Sequence, residues 1–143
     1  MVVVDGAGTP LGAHLESASP HEGTLLERTL GTIAVPRAHT PGRPRQRPDC
    51  LIADRAYDAN PLRKRLARRG LEPIIPALPT HPNATPQDGR TLRRYRHRWI
   101  VERTFSWLGT FRRLVVRYER LLLTYAGFFH LACAMLALRR VMT

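Results

Sequence analysis

The amino-acid sequence predicts an α/β fold with a parallel crossover and a mostly helical carboxy-terminal third. Three observations carry that expectation. Two short apolar runs, Cys50–Ala53 and the Pro73-Ile74-Ile75-Pro76 stretch of Glu72–Leu78, flank a segment with a helix start at Asn60–Pro61 and a stop at Gly70. A β-branched run, Val2–Val4, is followed by turn residues and a second extended segment. Beyond residue 90, apolar residues recur at helical spacing almost to the end. With 143 residues, 43% of them apolar and 24% charged, the chain has enough material for one core, and residues 1–143 read as one domain.

Taken in order, Val2–Val4 forms a strand, Asp5-Gly6-Ala7-Gly8-Thr9-Pro10 a turn, and Leu11 to Ser17 a returning strand, so the segment reads as a hairpin. His21 to Ile33 has helical spacing at Leu25, Leu26, Leu30 and Ile33 behind Ser19 and Pro20. Pro36 to Pro48 holds four Pro and four Arg and reads as a basic loop, because proline interrupts both helix and ladder hydrogen bonding. Cys50–Ala53 is a strand expected at the centre of a sheet. Asn60 caps a helix beginning at Pro61, and the proline-bounded Glu72–Leu78 is expected at a sheet edge. Pro79 to Arg90 is a second loop. Helices over Thr91 to about Leu114 and about Leu121 to Val141 complete the chain.

Charge narrows the function classes. There are 23 basic residues against 11 acidic ones, a net charge of +12, and Lys64 is the only lysine. Met1 to Val35 is acidic, so the excess sits in the remainder. Such a balance points to a polyanion, nucleic acid before an anionic membrane. Cys50 and Cys133 stand far apart and no HExxH or CxxC pattern occurs, which argues against a disulfide framework or a structural zinc site. The first residues lack a basic, then apolar, leader pattern, and a reduced, cytoplasmic setting follows. Leu121–Leu138 runs without a formal charge and reaches the lower length of a membrane span, but Thr124, Tyr125, Gly127 and His130 favour a core helix.

Asp54 directly follows an apolar strand, the position where open α/β sheets place their ligand crevice. The competing role is to satisfy backbone N–H groups of the next turn. Asp58, beside a helix start, is expected to be structural. On the Thr91–Leu114 helix, Tyr95, Arg98, Glu102, Gly109 and Arg113 share one face. Glu102 is then a lone acid on a basic stripe, either paired with Arg98 on the surface or a metal ligand beside Asp54, with Tyr95, Arg98 and Arg113 holding a phosphate.

The runs Leu51-Ile-Ala-Asp-Arg-Ala-Tyr-Asp58, Tyr95-Arg-His-Arg-Trp-Ile-Val-Glu-Arg-Thr-Phe-Ser-Trp-Leu108 and Phe111-Arg-Arg-Leu-Val-Val-Arg-Tyr-Glu119 resemble the catalytic half of bacterial insertion-sequence DDE transposases. Gly42-Arg-Pro-Arg45 resembles that family's basic loop, and Phe128–Cys133 through Arg140 its closing helix. The resemblance implies an RNase H-like mixed sheet lacking its first strand, flanked by helices. It implies Asp54 and Glu102 as catalytic, metal-binding carboxylates, and Tyr95 and Arg98 as members of the Tyr-x-x-Arg-x-x-x-Glu signature. The family's basic residue after the Glu has Gly109 at its usual spacing, and Arg112 or Arg113 is expected to substitute in DNA or phosphate binding.

It further implies DNA cleavage and strand transfer with two Mg2+ ions about 4 Å apart, held by three carboxylates. The family's first Asp lies on a strand before Val2–Val4, so the chain is expected to be truncated at its amino terminus and inactive alone. Asp5 reads as a turn residue rather than its replacement. The implied partners are transposon ends and target DNA, a second copy or a full-length transposase, and no membrane. The alternative is a non-catalytic basic DNA-binding fragment or an inhibitor of full-length transposase.

Overall fold

The computed structural model describes residues 1–16, 22–37, 41–78 and 89–142. The expected helix start at Ser19–Pro20, the strand end at Ser17, part of the first basic loop and nearly all of the second lie outside the described residues. The fold is α/β: strands β1 (Val2–Val4), β2 (Pro10–Ala13), β3 (Cys50–Ile52) and β4 (Glu72–Ile74), with helices α1 (Glu22–Gly31), α2 (Asn60–Arg68), α3 (Gly89–Arg93), α4 (Trp99–Leu108), α5 (Arg112–Val115) and α6 (Leu122–Val141). The chain divides into two compact units, one of Met1–Gln46 with Ile100–Thr143, the other of Arg47–Trp99.

In the first unit β1 and β2 form the expected antiparallel hairpin, with the second strand shorter than the sequence suggested. Pairing runs Val2 with Ala13 and Val3 with Gly12, then slips so that Val4 faces Pro10. A bulge there suits proline, which cannot donate to the ladder. Asp5 organises the turn: its Oδ1 accepts from the N–H groups of Ala7 at 2.9 Å and Thr9 at 2.8 Å. Gly12 packs closely: a Cβ would stand 2.8 Å from Thr32 Oγ1 and 3.0 Å from the Thr29 carbonyl oxygen near the end of α1, so a side chain there requires its neighbours to shift.

The core of this unit gathers Val2, Leu108, Phe129, Ala132 and Leu136, with Trp107, Phe111 and Leu114 against it. Helix α6 is long and apolar enough to cross a membrane by length and composition, yet it lays Phe129, Ala132 and Leu136 into this core. The Tyr125 hydroxyl donates to the Leu114 carbonyl at 3.1 Å, fastening α6 to α5.

In the second unit β3 and β4 pair in parallel across the α2 crossover, with Leu51 opposite Pro73 and Ile52 opposite Ile74. Leu62 and Leu66 of α2, Leu71, Ile74 and Ile75 are buried. Helix α2 starts one residue earlier than expected: Ala59 occupies the capping position with extended backbone, and Asn60 is inside the helix without capping it. Gly70, at φ +71°, ends the segment as the sequence indicated.

Two expectations need correction. Among the described residues β3 pairs with β4 only, so it is not the centre of a larger sheet; the two sheets have two strands each. The stretch from Thr91 to Leu114 is also not one helix. It runs as α3, a 3-10 segment over Arg94–Arg98, α4, and the short α5 after a break at Gly109–Phe111. The single face shared by Tyr95, Arg98, Glu102, Gly109 and Arg113 therefore does not exist. A 3-10 segment advances about 120° per residue instead of 100°, and the break at Gly109 resets the phase again.

Candidate functional site

Strand β3 delivers Asp54 to its carboxyl end, where the chain leaves the ladder and tightens into a 3-10 turn over Arg55–Tyr57. The side chain caps that turn, Oδ1 accepting from Arg55 N–H at 2.6 Å. This backbone duty is what a strand-end aspartate commonly performs, and here it uses only one of the available lone pairs. The Tyr95 hydroxyl donates to the same Oδ1 at 3.3 Å, and Arg98 Nη1 donates to Oδ2 at 3.2 Å. The carboxylate remains half exposed.

The 3-10 geometry makes this convergence. With three residues per turn, side chains at i and i+3 stand above one another, so Tyr95 and Arg98 project to the same side, the Arg98 guanidinium 5.9 Å from the Tyr95 ring centre. An α-helix would rotate the two apart by about 60°. Tyr95 is held more strongly in its neutral, donating form: loss of solvent raises its phenol above the ordinary value, and the Asp54 charge adds to that, against the opposing pull of Arg98. A neutral phenol and a fixed guanidinium thus both donate to one carboxylate.

Asp58 is structural, as expected. Its side chain is 4% exposed. Oδ1 accepts from Arg63 Nε at 2.7 Å and Oδ2 from Leu78 N–H at 2.6 Å. Arg63 also donates to the Ile75 carbonyl, so the loop bearing Asp54 is tied to α2 and to the chain beyond β4. Glu72 was not foreseen. It accepts from Arg94 at 3.0 Å and lies 3.4 Å from the Thr91 hydroxyl, which anchors the segment carrying Tyr95 and Arg98 to β4. The one signal for it was an acid on an edge strand followed by a basic helical segment.

The remaining candidates belong to the first unit. Glu102 is exposed in the first turn of α4, a helix end where the dipole favours a negative charge. The helix that carries it is clamped to the hairpin turn. Arg103 donates to the Ala7 carbonyl at 2.8 Å, Arg140 of α6 donates to the same oxygen at 2.7 Å, and the buried Thr104 hydroxyl donates to the Gly8 carbonyl at 2.9 Å. Both guanidiniums also lie over the Trp107 ring, 4.8 and 5.0 Å from its centre. Gly8 sits at φ +88° with Thr104 Oγ1 3.0 Å from where a Cβ would be. Arg113 donates to Glu119 at 3.1 Å and lies 5.7 and 5.4 Å from the Tyr118 and Phe128 ring centres. Arg112 is exposed.

Asp54, Tyr95 and Arg98 are therefore brought together, while Glu102, Arg112 and Arg113 stand on the other unit. Among the described residues no three His, Cys, Asp or Glu side chains cluster as a metal centre. Asp54 supplies one carboxylate, already engaged by three donors, and that donor set does not fit an octahedral Mg2+ site.

Residues 1–137 match the family model described as the transposase DDE domain. The chain belongs to the DDE transposase family. Over 135 residues, 94% of this DDE transposase chain, it is 38% identical to a protein of Burkholderia cepacia named as a transposase candidate of insertion sequence element IS402. Over 90 residues it is 39% identical to a similar protein named for insertion sequence element IS6501 from Brucella ovis. It spans about 60% of the first relative's length and about 67% of the second's. No solved structure matches the chain.

Proposed function

We propose that this chain is the DNA-handling catalytic segment of an insertion-sequence transposase, a polynucleotidyl transferase domain with an RNase H-like sheet, and that by itself it binds DNA without cutting it. The convergence of Tyr95 and Arg98 on Asp54 carries this reading. Two residues of the Tyr-x-x-Arg-x-x-x-Glu signature serve the strand-end carboxylate instead of standing free to grip a phosphate. Asp54 and Glu102 occupy the positions of the family's metal-binding carboxylates, and Asp54 would have to exchange its present donors to hold Mg2+, the ion suited to all-oxygen ligands. The Arg98 and Tyr95 donors hold the Asp54 side chain in one orientation.

Two carboxylates fall short of the set that clamps a metal pair. Groups that act together lose most of their rate enhancement when one is missing, so the chain alone has background cleavage only. Arg112, exposed on the short α5, is the better candidate of the basic pair for phosphate contact, since Arg113 already serves Glu119. Transposon ends and target DNA are the partners in this reading, with a second copy or a full-length transposase beside them, and α6 remains a core helix of a cytoplasmic protein.

The test is twofold. Duplex DNA should be retained in gel shifts at low salt and lost steeply between roughly 50 and 200 mM salt. The 143-residue chain should not nick element-end DNA with Mg2+ or Mn2+ alone. Salt-independent binding removes the electrostatic basis of the proposal. Robust cleavage by the chain alone that is abolished in Asp5→Ala shows that the turn aspartate is the third ligand after all.

A further inference from the structure

Helix α2 carries a charge arrangement that the Asp54 group does not use. At 100° per residue, Lys64, Arg65 and Arg68 fall within about 100° of arc, with Arg69 at the end of the helix beside them. All four are exposed, while Leu62 and Leu66 of the same helix are buried. Lys64 and Arg68, and Arg65 and Arg69, are like charges four residues apart, a spacing that disfavours the helix. The acids nearest in sequence are committed elsewhere, Asp58 to Arg63 and Glu72 to Arg94. Among the described residues no salt bridge engages Lys64, Arg68 or Arg69. Arg47 adds a fifth cation at the same end: its Nη1 donates to the Arg69 carbonyl at 2.7 Å and lies against Gly70, where a Cβ would meet it at 3.0 Å.

We infer that this face of α2 is a docking surface for the phosphate backbone of duplex DNA, additional to the Asp54 group. The inference rests on the proposed DNA-handling role and adds a surface which that role does not require. The chemistry of the face selects among polyanions. It has no aromatic side chain, so it offers single strands no stacking platform. Its apolar residues, Leu62 and Leu66, are buried in the unit and unavailable for insertion into a lipid surface. Its one amide is the exposed Asn60, a turn before Lys64 at the start of α2; the rest of the face is cationic. Guanidiniums and one ammonium, repeating over about 7.5 Å of helix axis, face a polymer bearing one negative charge per roughly 1.7 Å, so the contact is to the phosphate backbone.

Lys64 is the only lysine, so its amine is a single-site reporter of this face. The full chain is acylated with an amine-selective ester, with and without a mixed-sequence duplex, and modification of Lys64 and of the Met1 amine is followed by peptide mass spectrometry. Duplex DNA at low salt is expected to slow acylation of Lys64 roughly fivefold or more, an effect that disappears at high salt, with the Met1 amine unchanged. In parallel, Arg68→Gln/Arg69→Gln should reduce the slope of log affinity against log salt by about 1.8, with an unaltered far-ultraviolet dichroism spectrum.

DNA binding by gel shift with no protection of Lys64 and no change of slope overturns the inference and leaves the DNA reading intact. No DNA binding at all overturns both. Protection by phosphatidylserine vesicles but not by duplex overturns it in favour of a membrane surface.

Discussion

Replacing Asp58 by Ala should destabilise the Arg47–Trp99 unit more than any change at Asp54, four residues away. The Asp58 carboxylate is 4% exposed and answers two groups that cannot easily find other partners. The Leu78 N–H, 2.6 Å from Oδ2, would be left unpaired, a loss of about 1 to 3 kcal/mol. Arg63 keeps its bond to the Ile75 carbonyl and is 21% exposed, so water recovers part of its lost pairing. The cost therefore falls below the roughly 3 to 5 kcal/mol of a fully buried pair broken on one side. Together these come to about 3 kcal/mol, on the order of a hundredfold in the folding equilibrium and a large fraction of a small protein's total. Asp58→Asn, which keeps an acceptor but loses the charge, should cost about half as much.

The assay is urea unfolding of the full chain by far-ultraviolet dichroism, analysed through the midpoint and slope. A double-mutant cycle with Arg63→Met should give a coupling of about 1 to 3 kcal/mol, since the residues share one network. The reasoning fails if Asp58→Ala unfolds within about 0.5 kcal/mol of the parent, the range of an ordinary surface substitution. It fails equally if the two single costs simply add.

Gly12→Ala should cost about 1 to 3 kcal/mol in the same melts, because the new methyl meets the Thr29 carbonyl at 3.0 Å. Gly31→Ala, where nothing lies within 4 Å, should instead stabilise α1 by about 0.5 to 1 kcal/mol. Burial pushes the Cys133 thiol up to about 11; its alkylation near pH 8 should be about a hundredfold slower than that of a thiol at the ordinary value and rise about tenfold per pH unit. The Arg28 hydrogen bond first, and His14 second, hold Glu16 below the ordinary glutamate value. Because its folded pKa is depressed, the stabilisation it brings is present above the unfolded value and is lost as pH falls through the folded one. NMR titration should show a low Glu16 midpoint that moves up in Arg28→Gln.

The elements whose signals are local were legible in the chain alone. Val2–Val4 with its Asp-Gly turn, the Pro61 in the first turn and the Gly70 stop of α2, and the apolar run of β3 rest on backbone preferences within a few residues, and the hairpin and parallel crossover follow from their order. Placing Asp54 at a strand end needed no more than that. Local patterning could not reveal the break of the Thr91–Leu114 stretch into α-helix, 3-10 segment and α-helix, since the residues there satisfy either winding. Contacts decide it: Glu72 of β4 holds Arg94, and Asp54 takes Tyr95 and Arg98 together only when they are eclipsed. The partner of a guanidinium is likewise a long-range fact. Arg113 goes to Glu119, and Arg103 and Arg140, 37 positions apart in sequence, share the Ala7 carbonyl. Sequence sets which charges and turns exist; which carboxylate or carbonyl each long, flexible cation reaches is set when packing fixes the distances, because such side chains carry little conformational preference of their own.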